Sequence, residues 1–403
     1  MSGVNQDEGE KKRAPEFGLA FNIKNNKGTS LLRFNISGRT LWLLYALILS
    51  AVVLAHPHQH TVTAYRDAAE DWVHHADLYD LGSIHGFLYL PQSAIAFVPI
   101  LWMPFAMGEV VWRLIGIGLL AGTIAALART LPLRKGVPWF LLLSALVIPS
   151  SFASARNGQT NLDLAACFLW TALALDRSRW NLAAVLLIVC MVLKPVALVP
   201  ILLIGALYPP MRLRLALGLV GFLAIPFLDF HWGYVLHQYD LCFQKLAIAS
   251  EPMEHGFCDF SGMIWTFTGA PLPSRVTQAI GIVMALVTLG LGWRARKVDA
   301  ASAAFWIVAL SSTYLMLFNP RTESNSYVIL ATAALPFVAE GFLRGRGWPS
   351  IAFLLSLGCD SYSNPIHPWT HLWLKALLGC VFLVWLGFRL IWRQSLQWGR
   401  IDR

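Results

Sequence analysis

Polar residues that could bind an anion stand at short breaks between long apolar runs. The stretch RNGQTN places Arg156, Asn157, Gln159 and Asn161 close together, and Gly158 allows the backbone to turn tightly there. A polar turn between two helices is the alternative, but so many hydrogen-bonding side chains exceed what a turn requires. Arginine beside amide groups is suited to holding a phosphate.

A single lysine, Lys194, interrupts another long apolar run. An ionisable group inside a membrane segment costs about 2.5 kcal/mol or more and usually serves a pathway or a ligand. Proline ends or kinks a helix, so Pro195 places this lysine at a helix break where an anion could bind. A lysine that snorkels to the interface is the alternative.

The loop NPRTESNSY repeats the pattern with Arg321, Glu323 and Asn325. A local salt bridge with helix capping is the alternative interpretation of this loop. Arg113 stands just inside the end of a further apolar run, where an interior ion pair is as suitable as a ligand contact.

The stretch YRDAAEDWVHHADLYD is charged although apolar runs flank it. Ala68, Ala69, Trp72, Val73 and Ala76 recur at helical spacing, which predicts a short amphipathic helix lying along the membrane interface. Its charged face would point into water or into a cavity. A solvated amphipathic helix without further function is the alternative.

The composition is that of an integral membrane protein. The 403 residues are 57% hydrophobic and 13% charged, about half the charge of a typical soluble domain, and the mean hydropathy is +0.57. The net charge of +9 does not indicate nucleic acid as a partner, because polytopic proteins keep Lys and Arg in their cytoplasmic loops. Because a helix needs roughly 20 apolar residues to span a bilayer, the length and the apolar runs of the chain predict that it crosses the membrane about twelve times.

The basic residues predict the orientation. Lys24, Lys27, Arg33 and Arg39 precede the first apolar run and place the N-terminus in the cytoplasm. Keeping the later basic clusters on the same side places both termini in the cytoplasm.

Two irregular segments follow from this orientation. Gln92–Met107 must be a juxtamembrane or re-entrant helix, and Trp180–Tyr208 must cross outward and back with its turn near Lys194. Broken helices of this kind need protein or a water-filled cavity around the exposed backbone.

The same orientation brings all eleven histidines and every polar cluster to the external face, including His237 and Tyr239. We therefore predict an all-α polytopic transmembrane bundle in the cell membrane. Its predicted parts are a flexible cytoplasmic tail at 1–39 and one membrane domain at 40–403, with external loops at 56–107 and 229–275.

Few residues indicate a disulfide or a metal. Among six cysteines, only Cys242 and Cys258 lie in a long polar insertion where they could pair. The stretch HPHQH at 56–60 could bind a metal, because imidazole suits zinc or copper. No cysteine or second histidine cluster completes such a site. We predict neither a metal nor a cofactor.

The order of AYRDAAEDWVHHADLYD, GFLYLPQSA, WR, RNGQTN, LKP and NPRTESNSY resembles glycosyltransferase family 87, from about residue 40 to 340. That family contains polyprenol-phosphate-sugar-dependent mannosyl- and arabinosyltransferase-like proteins of the GT-C superfamily. The resemblance implies a GT-C bundle whose first external loop forms juxtamembrane helices over a lipid-accessible cavity. It also implies an acidic general base near the start of this loop, where the chain has Thr61.

Sugar transfer from a lipid phosphate requires a base for the acceptor hydroxyl and cations for the departing phosphate. Asp67 is our first candidate base because it follows Tyr65 and Arg66, and Glu323 is the second. The candidate binding residues at the external face are Tyr65, Arg66, Tyr89, Arg113, Arg156, Asn157, Gln159, Asn161, Lys194, His237, Tyr239, Arg321 and Asn325.

The predicted function is inverting, metal-independent transfer of a mannose-like hexose or a pentose. The predicted partners are a polyprenyl-phosphate-linked sugar donor, a glycan or glycolipid acceptor and membrane lipids. A lipid-linked sugar flippase or transporter would share the lone lysine and the broken helices, but it commonly shows related halves. An inactive family member is the third possibility, because of Thr61.

Overall fold

The computed structural model describes residues 19–24, 30–55, 61–83, 85–132, 137–249, 256–359 and 365–396. These ranges contain two β-strands, β1 (Leu19–Lys24) and β2 (Ser30–Ile36), and seventeen α-helices. The helices are α1 (Gly38–Ala55), α2 (Val62–Val73), α3 (Pro91–Leu101), α4 (Phe105–Ala128), α5 (Trp139–Asn157), α6 (Asn161–Asp176), α7 (Trp180–Leu193), α8 (Leu198–Leu207), α9 (Pro209–Ala224), α10 (Trp232–Ala249), α11 (Phe260–Thr268), α12 (Ser274–Val298), α13 (Ala303–Phe318), α14 (Val328–Leu343), α15 (Gly347–Gly358), α16 (His367–Thr370) and α17 (Leu374–Ile391).

Seven helices in the described ranges are long and apolar enough to cross a membrane. They are α1, α4, α5, α12 and α17, together with α9 and α14, which short 3₁₀ turns extend to Pro209–Asp229 and Ser324–Leu343. The prediction of an all-α polytopic bundle is thus confirmed. Several predicted crossings correspond to helices shorter than the roughly 20 residues of a full span, among them α6, α7, α8 and α13.

The centre of the bundle consists of α6, α13 and α14. These helices are apolar on every side, which is typical of helices surrounded by protein. Almost all of their side chains are buried, with Phe168, Trp306 and Leu335 among the most enclosed. This core positions the ends of the three helices, where the polar turns begin.

The chain turns back at Lys194, as the sequence predicts. α7 ends at Leu193, Lys194 is extended (φ −162°, ψ 128°), and a 3₁₀ turn over Pro195–Ala197 leads into α8. The rings of Trp180 and Tyr208, at the far ends of the two helices, are 5.9 Å apart. The two helices therefore run antiparallel, with Lys194 at their turn.

Basic residues gather at one end of the bundle, which we call the basic end. There Arg294 Nε donates to the carbonyl of Leu390 over 2.8 Å, and Arg389 forms a buried ion pair with Glu340. These contacts join the C-terminal ends of α12, α14 and α17. The loop that precedes α14 consequently lies at the opposite end, which we call the polar end.

A second core covers the polar end. It is built from α2, α3, α10 and the segment 74–90, which together we call the loop layer. The predicted helix in the first loop is confirmed as α2, but it ends at Val73, which is 50% exposed, and Ala76 lies beyond it. α3 has 11 residues, too few to span, as expected for a juxtamembrane helix.

Three other predictions concern smaller features. Cys242 and Cys258 do not form a disulfide, and each is buried in a different core. The histidine-rich stretch 56–60 lies outside the described residues. Within the segment predicted as a tail, β1 and β2 pair antiparallel, with Leu19 opposite Ile36.

Candidate active site

Two amides from different turns hold the carboxylate of Glu323 at the polar end. Gln159 Nε2 donates to Glu323 Oε2 over 2.8 Å, and Asn325 Nδ2 donates to the same oxygen over 3.0 Å. Gln159 belongs to the turn between α5 and α6, whereas Asn325 belongs to the loop before α14. The structure thus brings together two of the polar clusters that the sequence singled out.

Asn161 connects these amides to Lys194. Its Nδ2 donates to Gln159 Oε1 over 2.7 Å and to Ser326 Oγ over 3.2 Å, and its Oδ1 accepts from Lys194 Nζ over 3.1 Å. Asn161 is fully buried, so its orientation is fixed by these bonds. We call the connected side chains the polar network; they are Gln159, Asn161, Lys194, Glu323, Asn325 and Ser326.

The polar network is recessed below the polar end. α7 has 14 residues, fewer than the roughly 20 of a full span, and ends directly before Lys194. Lys194 is half-buried by protein and donates to the fully buried Asn161. A cation inside an apolar segment favours an anionic partner.

Gly158 shapes the turn between α5 and α6. It has φ +68°, and a Cβ atom there would lie 2.3 Å from Val62 Cγ2 and 2.9 Å from Arg113 Nη2. Only glycine fits a position with both this conformation and this crowding. The turn can therefore approach α2 and α4 closely and direct Gln159 and Asn161 inward.

Arg113 holds the same turn from α4. Its Nε and Nη2 donate to the carbonyl of Arg156 over 3.1 and 2.9 Å, and its Nη1 donates to Glu109 Oε2 over 2.6 Å. Both side chains are at most 2% exposed. The interior pairing that the sequence left open is the one observed, so Arg113 acts as a positioning residue.

Arg156 and Glu323 line one polar cavity of about 270 Å³, with Asn157, Asn325, His367 and His371 in its wall. Within the described part of the chain, the Arg156 side chain makes no hydrogen bond or ion pair. Glu323 is exposed in this cavity. A guanidinium and an accessible carboxylate thus line the same cavity.

Three residues near this cavity are not among the candidates that the sequence suggests. His367 and His371 stack with ring centroids 4.9 Å apart, and Lys375 Nζ donates to the carbonyl and the hydroxyl oxygen of Ser324 over 2.9 and 2.8 Å. Lys375 is 1% exposed. A polar segment directly before the last apolar run was the signal that could have indicated them.

A second, largely apolar cavity of about 510 Å³ adjoins the polar one. It lies among α11, α12 and α13, and both cavities share Gly256 and Phe257 in their walls. Arg321 lines the apolar cavity with its guanidinium 5.3 Å from the Phe257 ring, and its Nη1 donates to the carbonyl of Ala249 over 3.2 Å. Burial lowers the pKa of Arg321, and Glu323 opposes this shift.

Asp67 lies outside the polar network. It is on the exposed face of α2, two residues from Tyr65 on the buried face, and no hydrogen bond in the described ranges joins it to the network. Partial burial and the charges of Asp71 and Glu70 raise its pKa, against the effect of Arg66. Arg66 Nη1 donates to the carbonyls of Ile100 and Met103, so this arginine caps the end of α3.

The remaining candidates are also in the loop layer. The hydroxyls of Tyr65 and Tyr89 are 3.0 Å apart, and Tyr65 stacks on Phe97 with a centroid distance of 4.4 Å. Tyr239 donates to the carbonyl of Leu223 over 3.2 Å. His237 Nε2 is 3.2 Å from Asp77 Oδ1 at the surface. The structure does not bring these side chains into the polar network.

Thr61 stands where α2 meets the polar turn. Its backbone N–H donates to the carbonyl of Asn157 over 3.0 Å, and Asn157 lines the cavity that contains Glu323. The position at which the resemblance implies an acid is therefore next to this cavity, although the residue there is not acidic.

One group of side chains in the described ranges has the composition of a metal site. It consists of His75, Asp229 and His231, which come from the end of α2 and the turn before α10. The group lies on the side of the molecule that carries the loop layer, and it shares no residue with the polar network.

The fold and the polar cavity define a polytopic helical membrane protein with a charged cavity at one end of its bundle. The sequence model of glycosyltransferase family 87 matches residues 87–320, more than half of the chain, and the chain belongs to that family. It is therefore a membrane glycosyltransferase. The matched range includes Arg156 and Lys194, whereas α2 and Glu323 lie outside it. No curated protein matches the chain.

Proposed function

We propose that the protein transfers a sugar from a polyprenyl-phosphate donor to a hydroxyl group of a glycan or glycolipid, and that transfer takes place in the polar cavity. One observation carries this proposal: the guanidinium of Arg156, which has no partner among the described residues, and the exposed carboxylate of Glu323 line the same cavity, beside an apolar one. An anionic headgroup with a hydrocarbon tail matches this pair of cavities.

The tail of the donor occupies the apolar cavity. Of the 25 residues of α12, only Thr288, Gly292 and Ala295 are buried, so this helix stands at the edge of the bundle. The groove between α12 and α13 is accordingly open toward the lipids. The phosphate then lies near Phe257, where the two cavities meet.

The phosphate binds to Arg156, whereas Lys194 lines neither cavity and adds positive charge through the polar network. Arginine holds phosphate oxygens bidentately, and lysine acts as a point charge. A polyprenyl-phosphate sugar is a phosphodiester with one negative charge, so protein cations are sufficient. The diphosphate of a nucleotide sugar carries more charge and is commonly held through Mg²⁺.

Glu323 is the general base in this proposal. The amides of Gln159 and Asn325 bind its Oε2, which leaves Oε1 to accept the proton of the acceptor hydroxyl. The hydroxyl oxygen attacks C1 of the sugar as the bond between C1 and the phosphate oxygen breaks. Arg156 stabilises the negative charge that develops on the phosphate. A single displacement inverts the anomeric configuration, by analogy with inverting glycosidases.

The cavity faces away from the cytoplasm in this proposal. The positive-inside rule assigns the basic end of the bundle to the cytoplasm, and the polar network lies at the opposite end. Both termini are then cytoplasmic, and the donor is used at the external face of the cell membrane. The family resemblance favours a mannose-like hexose or a pentose as the sugar.

A transfer assay tests the proposal. The purified protein in nanodiscs is given radiolabelled polyprenyl-phosphate mannose, polyprenyl-phosphate arabinose or, as a control, GDP-mannose. Membranes from cells without the protein supply the acceptor. We expect label to enter a glycan or glycolipid from one of the lipid donors and not from GDP-mannose, with the anomeric configuration inverted by NMR. Transfer from GDP-mannose, or movement of the lipid donor across vesicles without transfer, would contradict the proposal.

A further inference from the structure

A cluster of metal-binding side chains lies apart from the polar cavity. His75 Nε2 is 3.1 Å from Asp229 Oδ1, and His231 Nδ1 is 2.7 Å from the same oxygen. All three donor atoms lie within 4.8 Å of one another. The proposed sugar transfer uses none of these residues, so the cluster needs a separate explanation.

We propose that His75, Asp229 and His231 bind one divalent transition-metal ion, for which Zn²⁺ is the best match. Two imidazoles and one carboxylate are a donor set found in zinc sites with three protein ligands. Imidazole nitrogen selects against Mg²⁺ and Ca²⁺, which prefer oxygen ligands. The side chains of His75 and His231 are 39% and 65% exposed, so water can reach the ion and complete its coordination.

The spacing of the donor atoms fits such an ion after small side-chain rotations. Bonds of about 2.0–2.2 Å in a tetrahedral complex place the donor atoms about 3.4 Å apart. The two nitrogen–oxygen distances, 3.1 and 2.7 Å, are both shorter than this, so the side chains must move apart slightly to admit the ion. The imidazole rings are tilted by 60° with centroids 4.4 Å apart, so neither ring covers the position of the ion.

Neighbouring groups hold the ligands in place. The ring of Tyr234 meets the ring of His75 edge-on at 5.1 Å, and its hydroxyl donates to the carbonyl of Ala76 over 2.9 Å. Tyr234 is also on the first turn of α10, three residues after His231. It therefore fixes the end of α2 relative to the start of α10, as supporting groups do around metal ligands.

The ion would act as a cross-link within the loop layer. His75 and Asp229 are 154 positions apart in the chain, and the cluster is the point where their two turns meet. A bound ion would fasten the end of α2 to α10 and stabilise the folded loop layer by mass action. This role does not depend on the proposed sugar transfer.

Metal titration of the full chain tests this proposal. The protein is prepared without a polyhistidine tag, freed of metal with a chelator and titrated with Zn²⁺ by calorimetry and with Co²⁺ by visible absorption. We expect one Zn²⁺ per chain, a tetrahedral Co²⁺ spectrum and no comparable binding of Mg²⁺ or Ca²⁺. His75→Ala, Asp229→Asn and His231→Ala should each weaken binding at least about tenfold, since even outer-shell changes can cost that much.

The matched control is His237→Ala, because His237 also pairs with an aspartate at the same surface but has only that one partner among the described residues. This variant should bind Zn²⁺ as the unchanged protein does. Zn²⁺ should raise the melting temperature of the unchanged protein and of His237→Ala, but not that of His231→Ala. Without metal, His231→Ala and His237→Ala should melt alike, because both histidine side chains are more than half exposed.

Two results would overturn the proposal. One is undiminished binding in the double variant His75→Ala/His231→Ala. The other is loss of binding when His56, His58 and His60 are all replaced by alanine, with His75 and His231 intact. That second result would assign the ion to the histidine-rich stretch instead.

Discussion

The polar side chains of the polar network and those of the loop layer look alike in the sequence, but they make different kinds of hydrogen bond. In the polar network, side chains bind side chains: the Gln159 amide binds the Glu323 carboxylate, and Lys194 binds the Asn161 amide. In the loop layer, the buried or partly buried cations bind backbone carbonyls instead, as Arg66 does at the end of α3. Polar residues in loops often satisfy backbone groups that no helix or sheet pairs.

This difference separates residues available for chemistry from residues that hold the fold. Lys245 is 1% exposed and donates to the carbonyls of Asp80 and Ser83, which have no helical partners. Arg156 is equally basic, but its guanidinium makes no hydrogen bond or ion pair within the described residues and lines a cavity. Substitutions in both regions, each with a control, test the comparison.

The largest effect should come from Glu323→Gln. Glutamine keeps an oxygen for the amides of Gln159 and Asn325 but cannot take a proton from the acceptor. We expect kcat to fall about 10²- to 10⁴-fold, the usual contribution of a general base, with donor binding unchanged. Radiolabel transfer and donor-binding titrations measure the two quantities separately.

Asp67→Asn is the control for that variant. Because Asp67 is on the exposed face of α2, its loss should change kcat by less than about twofold, well below the contribution of a general base. If instead Asp67→Asn is inactive and Glu323→Gln retains full turnover, the base is on α2. The polar network then only binds substrate or supports the fold.

Arg156→Gln should change catalysis without changing stability, and Arg66→Gln should do the reverse. Removing the Arg156 charge should lower kcat/KM for the donor about tenfold to hundredfold, the value of a charged hydrogen bond, with an unchanged melting temperature. Arg66→Gln should lower the melting temperature because α3 loses its cap, whereas kcat/KM of the folded enzyme stays the same. The reverse pattern would assign ligand binding to the loop layer.

Lys245→Met should destabilise the loop layer. The substitution leaves two partly buried carbonyls without their donor, which costs about 1–3 kcal/mol of unfolding free energy. Thermal unfolding and hydrogen exchange of the segment 74–90 measure the effect. The neighbouring exposed Gln244→Met is the control and should change stability little. Equal stability of both variants would show that the lysine is not structural.

The smallest effect should be a partial recovery of the activity that Glu323→Gln loses. Thr61→Asp introduces a carboxylate beside the carbonyl of Asn157, at the rim of the polar cavity. In the Glu323→Gln background we expect kcat to recover about tenfold, a fraction of what a well-placed base provides. Val73→Asp, at the other end of α2, should give no recovery. Failure of Thr61→Asp in a stably folded protein would place Thr61 outside the reach of the acceptor.

The sequence predicted the arrangement of the bundle better than the roles of single side chains. The break at Lys194 and the meeting of Gln159 and Asn161 with Glu323 follow from where polar residues interrupt apolar runs. Asp67 was the first choice for the base because it follows the Tyr65–Arg66 pair. Residues two apart on a helix point in nearly opposite directions, and a buried Tyr65 therefore turns Asp67 outward.

Other features depend on contacts between distant segments, which spacing does not reveal. Nothing in the residues around Arg113 shows that its guanidinium binds the carbonyl of Arg156, 43 positions away. The contact of Lys375 with Ser324 and the meeting of His75 with Asp229 are of the same kind. Such pairs become visible only when the packing of the helices is known.

The exposed position of α12 has a consequence for how the enzyme is supplied. A donor that enters between α12 and α13 never leaves the bilayer, and it reaches the protein by two-dimensional diffusion. Its turnover then depends on the mole fraction of donor in the leaflet, so dilution with inert lipid should slow the reaction even when the amount of donor per volume is constant. With the proposed polyprenyl-phosphate donor, the protein needs to enclose only a headgroup, and a cavity of about 270 Å³ is in keeping with that proposal.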